Sequence, residues 1–563
     1  MKKEINKVFV LYIVSIIIYG IYVSFFTSTV HVDVDEELYI GLARSFHYQG
    51  RFKMGGQLLN YSCVLYSMLI SVAYFFYSPE HILFFMRLIG VLVMCSAIFP
   101  IWLLAVRILG DNKKAFSITA FMLFMPYMLD CGYLMQEVLA YPLFLWTVYL
   151  GYCCMGEKNK NDYHLYLCAS LSAACYFTKT YLFFIPIVVN IYSLYGFLKE
   201  KNKRKVILKK TIKYDVVYLL MVGMMYFMIY VINGWESGVN HYATQFSHLF
   251  PITVKTIIYG GIACIIYTAL LVFNTGVFPM FSLIGNKEKV FGEKRKLLEI
   301  TFISVVVLVV EIIFLIVLTE EGLQPIPHKF LFRYFHIFVP ILFIYFINFI
   351  NENDYMGKKW FAFGILMCAS IITVYFFYLD GNTRQAIIDG HLFLVLENAT
   401  KYLFRYADVI IILLLCCLVF LYCITSLKRK RNVVSGMMKM AIIATLVFFI
   451  VDGMQLPIYN NMIAKGEIIQ TDGIKIAHYL NLYNYDYVYY IDTEQREDYY
   501  YRNFYGYIMQ SYEVVTKEEM WKIDTSKNKT AIVSPNPKIE IAGMGKREIG
   551  TDKLALYVET VEE

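Results

Sequence analysis

The feature that most limits what this chain can become is a recurrence of predominantly apolar runs of about 20 residues, the length that crosses about 30 Å of hydrocarbon as a helix. They fall at 8–28, 82–108, 115–131, 137–155, 163–178, 181–198, 212–232, 253–274, 299–318, 333–350, 359–378, 407–426 and 436–453. Hydrocarbon offers backbone groups no partner, so each run must satisfy its own hydrogen bonds as a helix. The expected fold class is therefore an α-helical polytopic membrane protein with about thirteen transmembrane helices. At 59% hydrophobic and 17% charged residues, with a mean hydropathy of +0.54, an ordinary soluble protein is excluded. Tyrosine outnumbers phenylalanine, 49 to 44, as suits side chains with one wet and one dry end at a lipid boundary.

Charge between the runs gives a direction. Basic residues gather at Lys113-Lys114, around Lys158 and Lys160, from Lys199 to Lys213, from Lys287 to Lys296, at Lys358-Lys359 and from Lys428 to Arg431. They alternate with poorly basic connections at 29–81, 132–137, 233–251, 320–332 and 380–406. Basic loops stay on the cytoplasmic side. The reading is a multi-pass cell-membrane protein with a cytoplasmic N-terminus anchored by the first run, and with the 29–81 loop outside. The tail from about 455 is polar and tyrosine-rich. Helical patterning at 472–482 and 495–509 alternates there with strand patterning at 487–491, 531–533 and 554–558, which predicts a small α/β domain. This divides the chain into a transmembrane domain, 1–455, and an extracytoplasmic domain, 456–563. No internal repeat is visible. The twelve cysteines, all but Cys63 within or beside apolar runs, form no disulfide framework or metal-binding pair.

Directly after the first run comes an acidic stretch, Asp33, Asp35, Glu36 and Glu37, followed by Tyr39, Ala43 and Arg44. Like charges packed beside hydrocarbon raise the cost of ionising them all, which favours a carboxyl suited to proton transfer. Read as a helix, Glu36, Tyr39, Ala43 and Arg44 fall near one face, a pattern for a short helix along the membrane surface. Other ionisable groups stand at the same outer ends of the runs: Glu137, Lys179, His328, Lys329 and Arg333. Cations converging on a carboxylate-bearing loop would hold an anionic ligand, a phosphate above all, through charge-assisted hydrogen bonds. The acids could also bind a divalent metal, although no specific signature requires one. No P-loop, GxSxG or HExxH is present, and no nucleic-acid partner is indicated.

Asp35-Glu36 with Tyr39 and Ala43-Arg44 resembles the D-E-x-x-Y-x-x-x-A-R of the first outer loop of GT-C membrane glycosyltransferases, especially the bacterial aminoarabinose transferase group related to protein O-mannosyltransferases. Phe177-Thr178-Lys179 is similar to that group's T-K step, Glu137 with Tyr141-Pro142 to its acid at a span start, and Arg333-Tyr334 with Pro340 to its R-Y-x-x-x-x-x-P segment. The family's K-P-P segment is absent; Gln57 to Tyr66 stands there instead.

The resemblance implies a GT-C-like fold and transfer of a sugar from a polyprenyl-phosphate-linked donor to an extracytoplasmic acceptor: a surface glycan, glycolipid or protein. It implies Asp35 as base with Glu36 beside it, Lys179 and Arg333 on the lipid phosphate, Glu137 as a second acid, and Tyr39 and Arg44 as further members of the site. His328 and Lys329 extend the cationic set by position. The chemistry needs a base on one side of the sugar and cations on the other. Two other classes compete. A flippase of lipid-linked glycans should carry polar groups within its spans, where Glu311 stands nearly alone. A polysaccharide polymerase or ligase should carry them in a large late outer loop, and only 380–406, with Arg384, Asp389, His391 and Arg405, fits.

Overall fold

A computed structural model describes residues 2–26, 34–54, 57–76, 81–154, 162–235, 239–240, 293–317, 329–352, 470–483, 485–492 and 529–535, with shorter stretches within 254–268, 387–389, 449–454, 512–523 and 541–559. Asp33, His328, the expected runs at 359–378 and 407–426, most of those at 253–274 and 436–453, and the 495–509 helix lie outside the described residues. Among the described residues, five helices are long and apolar enough to cross a membrane: Glu4–Ser24, Ile82–Leu109, Glu137–Cys154, Thr180–Lys199 and Lys201–Ile232. Asn112–Met122 and Pro126–Gly132, bent by 51°, make a sixth if counted as one span.

Helix starts and stops follow local chemistry. The first helix, α1, is Lys2–Ser24, and its apolar side chains Phe9, Ile17 and Ile21 point outward, as lipid-facing positions do. Gly110, at φ 68°, ends Ile98–Leu109 in the left-handed conformation that a side chain resists. The adjacent Asp111 caps Asn112–Met122 by accepting the N–H groups of Lys113 and Lys114 at 2.8 and 3.3 Å. Pro126 then opens a 3₁₀ segment, Pro126–Gly132, that turns the chain back toward α1. Gly132 lies so close to Phe26 that a Cβ there would stand 2.5 Å from its ring.

The loop at 29–81 is built rather than open. Helix α2, Val34–Gln49, leads into a hairpin of β1, Lys53–Met54, with β2, Gln57–Asn60, and then into the helix Leu65–Ile70 and the 3₁₀ segment Ser71–Phe75. The short helix expected after the first run forms as α2 and is packed into the protein. Glu36, Tyr39, Ile40, Leu42, Ala43 and Arg44 are all buried, because β1, Leu65–Ile70 and Ser71–Phe75 pack around α2.

Contacts separate the connections into two sets. β2 pairs in parallel with β3, Val239–Asn240, and Asn233 Oδ1 accepts the Phe52 N–H at 3.0 Å, so the loops after the first run and near 233 meet. β4, Lys329–Leu331, pairs with β5, Ile387–Asp389. The basic connections meet one another instead: Lys296 with Glu200 at 3.8 Å, Lys213 with Asp162, and Lys210 with the Cys154 carbonyl at 3.1 Å.

In the tail the helix Gln470–Tyr483 precedes a five-stranded mixed sheet of β6, Tyr487–Asp492, β7, Glu513–Thr516, β8, Thr530–Ser534, β9, Met544–Arg547, and β10, Ala555–Glu559, in the order β7-β6-β8-β10-β9. β7, β6 and β8 run parallel, while β10 is antiparallel to β8 and β9. Alternation is strict. Val488, Tyr490, Ala531, Val533, Leu556 and Val558 join the core shared with the membrane helices, while Tyr489, Ile491, Ile532, Ala555 and Tyr557 form a second core on the opposite face. Both faces of the sheet are thus covered.

Candidate active site

The charged side chains that come together all stand where helices begin or break. Asp35 lies in the first turn of α2 and Glu137 in the first turn of Glu137–Cys154, where a helix N-terminus favours negative charge. Lys179 sits between the helix Tyr163–Thr178 and the 3₁₀ segment Thr180–Phe183, in extended backbone at φ −152° and ψ 127°. That break turns one residue out of the helical path. Arg333 is on the 3₁₀ segment Phe332–Phe338, which runs into Val339–Glu352 with Pro340 tolerated in its first turn.

They form an alternating cluster. Lys179 Nζ is 3.3 Å from Glu137 Oε1 and 3.8 Å from Asp35 Oδ2. Arg333 approaches the same two oxygens, Nε at 3.1 Å from Glu137 and Nη2 at 3.4 Å from Asp35. The side chain of Asp35 is 38% exposed while that of Glu137 is 7% exposed, so the cluster opens on the Asp35 side. Neither Glu137 oxygen accepts a well-aligned hydrogen bond from the protein, although both cations lie within ion-pair range. Glu137 is therefore held by charge proximity, which leaves the donor directions of the cations aimed elsewhere.

Tyrosines wall the cluster. Lys179 Nζ donates to the Tyr39 hydroxyl at 3.2 Å and lies 5.6 Å from the centre of the Tyr334 ring, itself 5.7 Å from the Arg333 guanidinium. Tyr334 stacks on Tyr181 at 4.2 Å. Burial works against a charge on Lys179, but its neighbours Glu137, Tyr334 and Asp35 outweigh it and hold the amine above the usual lysine range. It is a cation at every physiological pH. Burial pushes the Tyr39 phenol well up, helped by Tyr61 and Asp35, so that hydroxyl stays neutral.

The other candidates take different places. Glu36, fully buried, accepts the Leu134 N–H at 2.7 Å, about 100° further round α2 than Asp35. Its oxygen anchors the turn that delivers Glu137 three residues later. Gln136, which the sequence did not single out, fastens the same turn by donating to the Cys63 carbonyl at 2.8 Å and the Tyr61 hydroxyl at 3.2 Å. The Arg44 guanidinium lies 5.5 Å from the centre of the Tyr512 ring, tying α2 to the strand region of the tail. Lys329 contributes backbone to β4, paired with Ile387, while His328 lies outside the described residues. Arg87 was also missed: fully buried, it donates from Nε to the Gly132 carbonyl at 2.9 Å and holds the 3₁₀ turn ahead of Glu137. Nothing but its place inside an apolar run marked it. Among the described residues no three His, Cys, Asp or Glu side chains converge as metal ligands.

No family model and no curated protein matches this sequence. Its fold is similar to that of ArnT from Cupriavidus metallidurans. The crystal structure of ArnT bound to undecaprenyl phosphate aligns at 12% identity over 97% of this chain and 97% of that chain, with a TM-score of 0.53. The apo state gives the same identity and coverage and a TM-score of 0.52. The archaeal oligosaccharyltransferase AglB from Archaeoglobus fulgidus, in complex with an inhibitory peptide and a dolichol-phosphate, aligns more loosely, at 11% identity over 93% of this chain and 69% of that chain, with a TM-score of 0.41. Over nearly its whole length the chain is similar in fold to ArnT, one of the aminoarabinose-transferase-like folds that the resemblance at Asp35-Glu36, Tyr39 and Ala43-Arg44 led us to expect.

Proposed function

We propose that this protein is a membrane glycosyltransferase that takes a sugar from a polyprenyl-phosphate-linked donor and passes it to an extracytoplasmic acceptor hydroxyl or phosphate. The observation that carries this reading is the four-membered cluster of Asp35, Glu137, Lys179 and Arg333, open on the side of Asp35, on a fold like that of a protein crystallised with undecaprenyl phosphate. Lys179 and Arg333 would bind the donor's phosphate, the guanidinium by a two-pronged contact and the ammonium as a point charge. The acceptor oxygen attacks the anomeric carbon, the carbon–oxygen bond to phosphate breaks, and the lipid phosphate leaves with the electron pair, its charge met by the two cations. Asp35 takes the acceptor's proton. At rest Asp35 lies against both cations. An entering phosphate competes for them and releases the carboxylate toward the acceptor, so base and leaving-group site are assembled by the same event.

In this reading the N-terminus is cytoplasmic, residues 1–455 form the membrane domain, 456–563 form an extracytoplasmic domain, and transfer takes place at the outer leaflet. Support comes from the described basic connections, which contact one another. The test is mass spectrometry of surface glycans and glycolipids from cells with and without the protein, alongside transfer by the purified chain in nanodiscs. A sugar modification lost with the gene product and restored by wild type, but not by Asp35→Asn, is expected. An unchanged glycan and glycolipid profile would refute the assignment.

A further inference from the structure

The reaction just described gives Glu137 no part, although it is the most enclosed carboxylate of the cluster and both cations converge on one of its oxygens, Oε1, at 3.3 and 3.1 Å. Lys179, Arg333 and Glu137 together sum to a single positive charge, presented to the side where Asp35 stands. The ligand's charge changes during turnover. A sugar joined to the lipid through a phosphodiester carries one negative charge, whereas the monoester left after transfer carries up to about two, its second ionisation lying near pH 6.

We propose that Glu137 is a charge counterweight that weakens the pull of Lys179 and Arg333 on the more highly charged monoester product relative to the phosphodiester donor, so that product leaves. This rests on the glycosyltransferase reading above and adds a selectivity-determining residue to it. The physical basis is that the repulsion between a fixed carboxylate and a ligand scales with the ligand's charge, so Glu137 opposes the monoester about twice as strongly as the diester. Its enclosure makes the effect felt, because a carboxylate shielded from water is poorly screened. Its contact geometry permits the role: held by proximity and not by aligned hydrogen bonds, Glu137 can subtract charge from Lys179 and Arg333 without occupying the donor directions that a phosphate needs. Asp35 cannot do this, since the acceptor's proton neutralises it during the reaction.

The test compares two probes, undecaprenyl phosphate and its methyl diester, binding to the full-length protein in nanodiscs. In Glu137→Gln the affinity for the monoester should rise relative to the diester by about tenfold or more, the consequence of removing one poorly screened charge. In turnover with the donor, kcat and KM should fall together as product release slows. Glu137→Asp keeps the charge and should keep the wild-type binding ratio. A merely structural Glu137 would instead weaken both probes alike, or leave their ratio unchanged, and either result overturns the proposal. Because the ratio is read on folded protein, a variant of low yield still answers. Wild type binding neither probe would sink the glycosyltransferase reading itself and this inference with it, whereas wild type binding both with an unmoved ratio in Glu137→Gln would sink the inference alone.

Discussion

Asp35 and Glu36 are neighbours in sequence with opposite fates, and the difference is the helix. One residue of rotation carries Asp35 to the open cluster and Glu36 to a buried backbone N–H. Asp35→Asn keeps shape but cannot accept a proton, so transfer should fall by a factor on the order of 10² to 10⁴ with donor binding retained. Single-turnover assays beside lipid-binding measurements would show it, and an Asn variant with normal turnover would reassign the base. Glu36→Ala should act on stability, leaving the Leu134 N–H unsatisfied at a cost of about 1–3 kcal/mol. Glu36→Gln, which keeps an acceptor, should lose less, as read from unfolding midpoints in detergent. Arg333→Lys keeps charge and loses the planar fork that reaches Asp35 and Glu137 from separate nitrogens. Weaker undecaprenyl phosphate binding than wild type is expected, and equal affinity would argue against a two-pronged contact.

At the scale of elements, the bundle's geometry depends on a few close approaches. Gly132 and Phe26 are the tightest: a Cβ on Gly132 would stand 2.5 Å from the ring, so Gly132→Ala should lower the unfolding midpoint and reduce turnover by shifting the turn that Arg87 and Glu36 hold. Phe26→Leu in the same chain should restore part of both, and a Gly132→Ala variant as stable as wild type would show that α1 moves freely. Apolar periodicity made the helices readable, from the 137–155 run, seen as Glu137–Cys154, to the strands at 487–491, 531–533 and 554–558, which appear as β6, β8 and β10. The strands there read as short continuous apolar runs because both faces of the sheet pack. β7 and β9 were not anticipated, being short edge strands with little apolar pattern. The interior of the 29–81 loop was not readable either, since β1 and Leu65–Ile70 are stabilised by packing on α2 and β2 by pairing with β1 and β3. Lys179 and Arg333 could be picked out as charges at run ends. That both would reach the same two carboxylates could not, because it depends on how four separate helix ends meet in space.

At the scale of the whole molecule, the described polar connections fall at two ends, and this gives the topology a direct test. At one end β2 meets β3, Phe52 meets Asn233, and Arg44 of α2 stacks on Tyr512 beside the tail's sheet. At the other, Glu200, Lys296, Lys213, Asp162 and Lys210 engage one another. Contacts of this kind fix which segments share a side, but they are symmetric with respect to in and out. The direction comes from charge: among the described residues the second end carries the lysine- and arginine-rich stretches 199–213 and 294–296, and such loops are retained in the cytoplasm. The Asp35 end, the sheet and the cluster are therefore expected outside, within reach of a lipid-linked donor in the outer leaflet. Single cysteines in an otherwise cysteine-free chain separate the two orientations. Glu513→Cys, exposed on the edge strand β7, should react with a membrane-impermeant maleimide on intact cells. Asn202→Cys, exposed in the 3₁₀ segment Lys201–Lys203, should react only after permeabilisation. The reverse pattern would put the cluster in the cytoplasm and rule out a donor taken from the outer leaflet. Labelling of both cysteines from the same side would contradict the separation of the two ends, and with it the arrangement of the helices that brings Lys179 and Arg333 together beside Asp35.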